Sequence, residues 1–430
     1  MRVLGLAHAA SRPLFSLSRR KGRGSGSGIL RLIKPFQNAM PRDYRIDFFR
    51  GLALISIFVN HIPGNFYSNF THRNFGLSDA AELFVLLAGI SAALAYFPRF
   101  ISGQANQSIG LIAKRVGILY VAQLSSVAIG FAIYAGATIW LQQPELMVPD
   151  ERHWLMDEPL KALFGIGALT YQTGNFNILP MYMGLLILLP GLMALARIRL
   201  SLALGVSFAL WLIANIFSLA PPNYPAPGGW FFNPLTWQLI FTIGFVIGVK
   251  LRRGDTFTAS SLLYVLALAY LAAAALLVMG NHWGQFPELP KWFWVSGFDK
   301  SWVGVFRLLH LLSLVYVVAF SPIPKFLTGW LDADNWVVRL GRNTLPVFWL
   351  SIVLSVTGHV LRQSVFLLPN EPRLTPFSFV VDTALISAGL AFMLALAFLL
   401  DWTNPRGRPK TVRAEAALPA DRGAIAAAAE

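Results

Sequence analysis

The sequence predicts an all-α fold: a polytopic membrane helix bundle of about ten transmembrane helices, with the N- and C-termini cytoplasmic. Three observations lead there. Of 430 residues, 56% are hydrophobic and only 13% charged, where a soluble domain carries about a quarter charged. The apolar residues gather in runs long enough to cross a bilayer. The cations collect in alternate loops, as topology-setting Lys and Arg do.

Ten apolar segments follow one another: residues 46–62, 77–97, 116–141, 178–196, 200–219, 235–249, 260–280, 301–320, 344–361 and 377–400. Segment 235–249 is the shortest, with a tilted, buried helix as its alternative. Residues 160–176 are apolar as well and read as a re-entrant or interfacial piece. With the N-terminus inside, 26 of the 35 Lys and Arg fall on the inner side and seven outside; Arg50 and Arg307 remain within spans. The largest outer loop, 142–177, is acidic. The formal charge of +15 therefore belongs to loops and tails and signals no nucleic-acid partner. Residues 1–45 read as a basic, disordered cytoplasmic tail, with an organelle presequence as the alternative. The ten-span domain fills 46–402, and 403–430 is a second disordered tail.

There is no cysteine, which excludes disulfides, thiolate metal sites and a cysteine nucleophile. P-loop, Rossmann glycine, GxSxG and metal-ligand patterns are also missing from the sequence. No metal and no permanently bound cofactor are expected, so the chemistry falls to oxygen, imidazole or amine groups.

The first span supplies the leading candidates. Arg50 and His61 are eleven residues apart, which on a helix is about 20° of rotation and about 16 Å of rise. Ionisable groups on one stripe of a membrane helix are costly and point to function. The structural alternatives are an Arg50 that snorkels with Asp47 as partner, and a His61 that ends the helix before Pro63-Gly64. At the start of the second span, Asp79 and Glu82 share a face. They suit a capping box, or a carboxylate that orients the His61 imidazole as general base; one can cap while the other orients.

Further residues are candidate substrate contacts. Asn60 and Arg307 could stabilise an oxyanion, while Arg73 and Asn74 lie in the first outer loop beside His72, read as a solvated histidine. Arg307 and His310, three residues apart, suit either a buried network or an anionic or polar ligand. Trp237 and Gln238 follow Asn233-Pro234 and combine a ring with an amide, as sugar sites do; an interfacial aromatic belt is the alternative. Arg342 and Asn343 open the ninth span beside Arg339 and Lys325, where a phosphate-bearing cytosolic donor would dock or where the charge sets topology.

These residues carry a family resemblance. Asp47-Phe48-Phe49-Arg50-Gly51-Leu52-Ala53, Asn60-His61-Ile62-Pro63-Gly64-Asn65 and Thr71-His72-Arg73-Asn74-Phe75-Gly76-Leu77-Ser78-Asp79-Ala80-Ala81-Glu82 resemble the OpgC family. Leu179-Pro180-Met181-Tyr182, Asn233-Pro234 with Trp237-Gln238, Arg307-Leu308-Leu309-His310 and Gly341-Arg342-Asn343 add to the likeness, which covers nearly all of residues 41–402. The wider group includes the acyltransferase-3 enzymes and heparan acetyltransferase, and its mark is an arginine, ten residues, then a histidine, as in Arg50 and His61. The resemblance implies transfer of a succinyl group from cytosolic succinyl-CoA, as co-substrate, to osmoregulated periplasmic glucans at the bacterial inner membrane. Its pattern has a histidine in the third span where this chain has Gln123. Two other readings remain: a proton-coupled transporter, and a same-fold acyltransferase acting on another surface glycan or a lipid-linked sugar. The oligomeric state stays open.

Overall fold

The computed structural model describes residues 42–280, 297–368 and 374–403. The expected tails over 1–41 and 404–430 lie outside the described residues. The tail boundary at 45 moves, because Tyr44 and Arg45 are already helical and Asp43 caps them, accepting the Arg45 N–H.

The helices in chain order are α1 (Tyr44–Asn60), α2 (Ala80–Ile101), α3 (Ala105–Trp140), α4 (Trp154–Asp157), α5 (Pro159–Gly167), α6 (Ile178–Ile198) and α7 (Leu200–Ile216). They continue as α8 (Pro234–Arg253), α9 (Ser261–Met279), α10 (Val305–Phe320), α11 (Ile323–Trp330), α12 (Trp336–Arg342), α13 (Thr344–Val360) and α14 (Pro376–Thr403). Each of the ten apolar segments coincides with one of them. Their starts carry the expected signals: Asp79, Asn233 and Ser260 act as N-caps, and Pro234 occupies the first turn of α8. Side-chain oxygens there satisfy N–H groups that have no intrahelical partner.

The result is a polytopic membrane helix bundle. Among the described residues, seven helices are long and apolar enough to cross a membrane, or eight if α10 and α11, bent by 63°, form one span. The difference from the expected ten lies in α1 and α7, not in segment 235–249, which belongs to the 20-residue α8, one of the seven. At 17 residues each, α1 and α7 reach only about 25 Å. Helix α5 is shorter still, and it turns Leu160, Leu163 and Phe164 outward, as an interfacial helix would.

Small residues set the tightest contacts. A side chain at Gly89 would strike the Phe241 carbonyl, and one at Gly244 the Leu86 carbonyl, so α2 and α8 lie backbone against backbone. In the same way Gly51 meets Val337 and Gly341 meets the Asp47 carbonyl, which seats α12 on α1. Membrane helices gain no hydrophobic drive from association and rely on such close packing.

Helix α14 fastens both ends of this core. Near its start, Asp382 accepts Arg362 Nε at 2.8 Å and the Phe66 N–H at 2.8 Å. Arg362 Nη2 also donates to the Gly64 carbonyl at 2.5 Å. Near its end, Asp401 pairs with Arg342 and accepts Asn343 Nδ2 at 3.1 Å. Nineteen residues of helix separate the two acids by about 28 Å, close to the roughly 30 Å of a hydrocarbon core. Arg362, expected in an outer loop, is 1% exposed. Buried charge there is tolerable because Asp382 neutralises it.

Candidate active site

Helix α1 ends at His61, whose N–H reaches the Ile57 carbonyl at 3.1 Å. The loop behind it is braced from within. Asn65 Nδ2 donates to the Val59 and Ile62 carbonyls at 2.8 and 2.6 Å. Thr71 donates to Asn60 Oδ1 at 2.8 Å, and Asn74 Nδ2 donates to the Ser68 carbonyl at 2.6 Å. Asn60 and Asn74, expected to touch substrate, thus serve the loop that carries His61 into α2. Arg73 is exposed on that loop. His72 is half-buried rather than solvated, and burial holds its pKa below the usual imidazole value.

Asp79 and Glu82 form the capping box. Asp79 Oδ1 accepts the Ala81 N–H at 2.8 Å, and Glu82 Oε2 accepts the Asp79 N–H at 2.9 Å. Their other oxygens bind cations. Glu82 Oε1 takes Arg307 Nε at 2.8 Å and Nη2 at 2.5 Å; Asp79 Oδ2 pairs with Lys300 and stands 3.8 Å from Arg307. The expected division, one carboxylate capping and the other orienting His61, does not hold. Both cap and both are ion-paired, and among the described residues no hydrogen bond joins either to His61. A carboxylate 1% exposed, as Glu82 is, needs a cation more than it needs a neutral imidazole. The charged groups acting on the His61 ring are Lys300, Asp79 and Arg73. His61 Nδ1 is buried and has no protein partner among the described residues. Buried polar atoms are nearly always hydrogen-bonded, which leaves this nitrogen an open position, as His72 Nε2 in the neighbouring loop also is.

Three expected ligand contacts are engaged within the protein, although Trp237 Nε1 has no partner among the described residues. His310 Nδ1 bonds Ser78 Oγ at 2.8 Å, and its ring lies so close to Gly76 that a side chain there would collide. His310 therefore clamps the loop before α2. Trp237 is fully buried and packs edge-on against Phe232 at 4.9 Å between centroids. Gln238 Oε1 accepts Ser207 Oγ at 2.5 Å, while Nε2 donates to the Ser207 carbonyl at 2.8 Å. Through these bonds Gln238 joins α8 to α7.

Lys300 is the residue that sequence reasoning missed. It stood among outer-loop cations with no local signal, and its carboxylate partner is 221 residues away.

Toward the other end of α1 lies a cavity of about 270 Å³ whose lining includes Arg50, Arg115, Arg342, Asn343, Tyr182 and Phe84. Arg50 Nη2 reaches the Leu87 carbonyl at 3.5 Å. Asp47 does not pair with it, because Arg42 Nε holds that carboxylate at 2.6 Å. Among the described residues neither Arg50 nor Arg115 makes a salt bridge. Arg342 and Asn343 are partly committed to Asp401, and Arg342 Nε remains buried without a partner. Arg339 belongs to the same anchor, through Asp334 and Asp401. One helical turn past Leu119, which lines the cavity, Gln123 donates from Nε2 to the Phe176 carbonyl at 2.9 Å.

One helix thus joins an arginine-lined cavity to an imidazole about 16 Å away, beside two carboxylate–cation pairs. A polyanionic ligand suits the cavity, and proton abstraction from a hydroxyl suits the imidazole. No curated protein and no solved structure matches the chain. A family model described as OpgC protein matches residues 42–405.

Proposed function

The chain belongs to the OpgC family, and from that premise we propose that this multi-pass membrane acyltransferase moves a succinyl group from cytosolic succinyl-CoA to hydroxyls of osmoregulated periplasmic glucans, at the bacterial inner membrane, with His61 as base. The observation that carries the proposal is the pairing, on α1, of a three-arginine cavity with a histidine whose buried Nδ1 is open.

In this reading Arg50, Arg115 and the free side of Arg342 hold the phosphates of the donor, since guanidinium groups match phosphate oxygens in charge and geometry. The thioester extends along the α1 stripe toward His61. A glucan hydroxyl comes from the opposite side of the membrane. His61 removes its proton as the oxygen attacks the thioester carbonyl. The tetrahedral intermediate collapses, the carbon–sulfur bond breaks, and the thiolate leaves with the proton that His61 returns. Lys300 and Arg307, neutralised and fixed by Asp79 and Glu82, offer oriented N–H donors to the developing oxyanion.

Donor binding tests the reading. Purified protein in nanodiscs should bind a non-transferable succinyl-CoA analogue. Arg115→Met should weaken it about 10- to 100-fold, as loss of a charged hydrogen bond worth about 1.5–3 kcal/mol requires. Equal affinity of wild type and Arg115→Met would remove the cavity as the donor site.

A further inference from the structure

A second cavity, of about 200 Å³, lies between α6, α7 and α8, away from His61 and from the arginine cavity. Its walls are apolar: Leu188, Leu192 and Leu195 of α6 face Val206 and Leu210 of α7. Ser207, Gln238 and Thr242 are its polar lining; Ser207 and Gln238 hydrogen-bond one another, and the other lining residues are apolar or glycine. The neighbouring side chains Ile187, Leu202 and Phe208 are exposed and apolar, which places the groove on the lipid-facing side of the bundle.

Cations collect at one end of this groove. Asn233 Nδ2 donates to the Leu219 carbonyl at 2.8 Å, joining the end of α7 to the start of α8. Since α6 turns directly into α7, α6 and α8 run the same way. Gly184 of α6 lies against Pro234 of α8. From that contact Arg197 is about 20 Å along α6 and Lys250 about 24 Å along α8, at 1.5 Å per residue. Arg197 and Arg199 at the α6–α7 turn therefore stand level with Lys250, and Arg252 and Arg253 follow it. Arg197 and Arg199 are exposed. Among the described residues, Arg197, Arg199 and Lys250 form no salt bridge, and Asp255, the acid nearest in sequence, pairs with none of them.

We propose that α6, α7 and α8 form a binding site for one anionic phospholipid, its acyl tail in the groove and its phosphate at Arg197, Arg199 and Lys250. An apolar trough selects a chain; the cations at its end select a negative headgroup, as basic pockets between membrane helices do. Free phosphate would use only the cations, and a zwitterionic lipid only the trough. The site shares no residue with the proposed donor cavity or with the His61 cluster, so it stands or falls independently of acyl transfer.

Native mass spectrometry of the full chain, released from nanodiscs of phosphatidylglycerol or of phosphatidylcholine, tests it. Wild type should retain one phosphatidylglycerol and no phosphatidylcholine. Each cation removed should weaken retention about fivefold, so Arg197→Gln/Arg199→Gln/Lys250→Gln should lose it about 100-fold with an unchanged melting temperature. Val206→Trp, which narrows the trough and keeps the cations, should lose it too, and millimolar glycerol phosphate should not displace it. Equal retention of the two lipids, or retention by the triple variant, would overturn the site. Displacement by glycerol phosphate would overturn the tail's part in it.

Discussion

His61→Ala is expected to lower acceptor-dependent CoA release by about 10²- to 10⁴-fold, the usual contribution of a positioned general base. The protein should stay folded. His61 closes α1 through its backbone N–H, which alanine also has. Its ring nitrogen Nδ1 holds no protein partner among the described residues, so the substitution strands no buried group. The split of kinetic constants is informative. Donor affinity should be unchanged, because the arginine cavity is about 16 Å away, while turnover falls. A His61→Ala protein that turns over like wild type would remove His61 as the base and leave the Asp79–Lys300 pair as the group to examine.

Arg307→Met is expected to cost about 3–5 kcal/mol of stability, the range for breaking a buried ion pair from one side. Glu82 would keep its capping bond to the Asp79 N–H but lose both guanidinium contacts while 1% exposed. Lys300 does not compensate, because it is engaged by Asp79. Adding Glu82→Gln to Arg307→Met should recover part of the loss, since the amide still caps and carries no buried charge. Thermal unfolding of wild type and the two variants in one detergent measures this. An Arg307→Met protein as stable as wild type would show that the pair does not hold α10 against α2. An Arg307→Met/Glu82→Gln protein less stable than Arg307→Met would show that the stranded charge is not the cause.

Much of the architecture was legible in the sequence because it is written locally. Apolar runs marked each of the ten helices, and Asp79-x-x-Glu82 announced a capping box that the structure contains. The Arg50–His61 stripe follows from helical periodicity alone. What the sequence hid are partnerships between distant residues. Asp79 and Glu82 looked free to orient His61 because their cations, Lys300 and Arg307, lie 221 and 225 residues further on. Arg362 counted only as an outer-loop cation, yet with Asp382, Gly64 and Phe66 it fastens the loop behind His61. Trp237 and Gln238 have the composition of a sugar site, but composition does not reveal which face of α8 meets α7. Where a helix stops was hidden too: the apolar run 200–219 holds a helix of only 17 residues.

Sidedness of the reaction is the most direct test of a donor site and a base set at opposite ends of α1. Inside-out vesicles carrying the protein, with glucan sealed in the lumen and succinyl-CoA added outside, allow both products to be located. Free CoA outside and succinylated glucan inside, both lost in His61→Ala, is the expected result. Intact succinyl-CoA accumulating in the lumen with no CoA release would contradict acyl transfer and make the protein a transporter. Glucan succinylated only when supplied on the donor side would contradict a donor cavity and a catalytic histidine that face opposite sides.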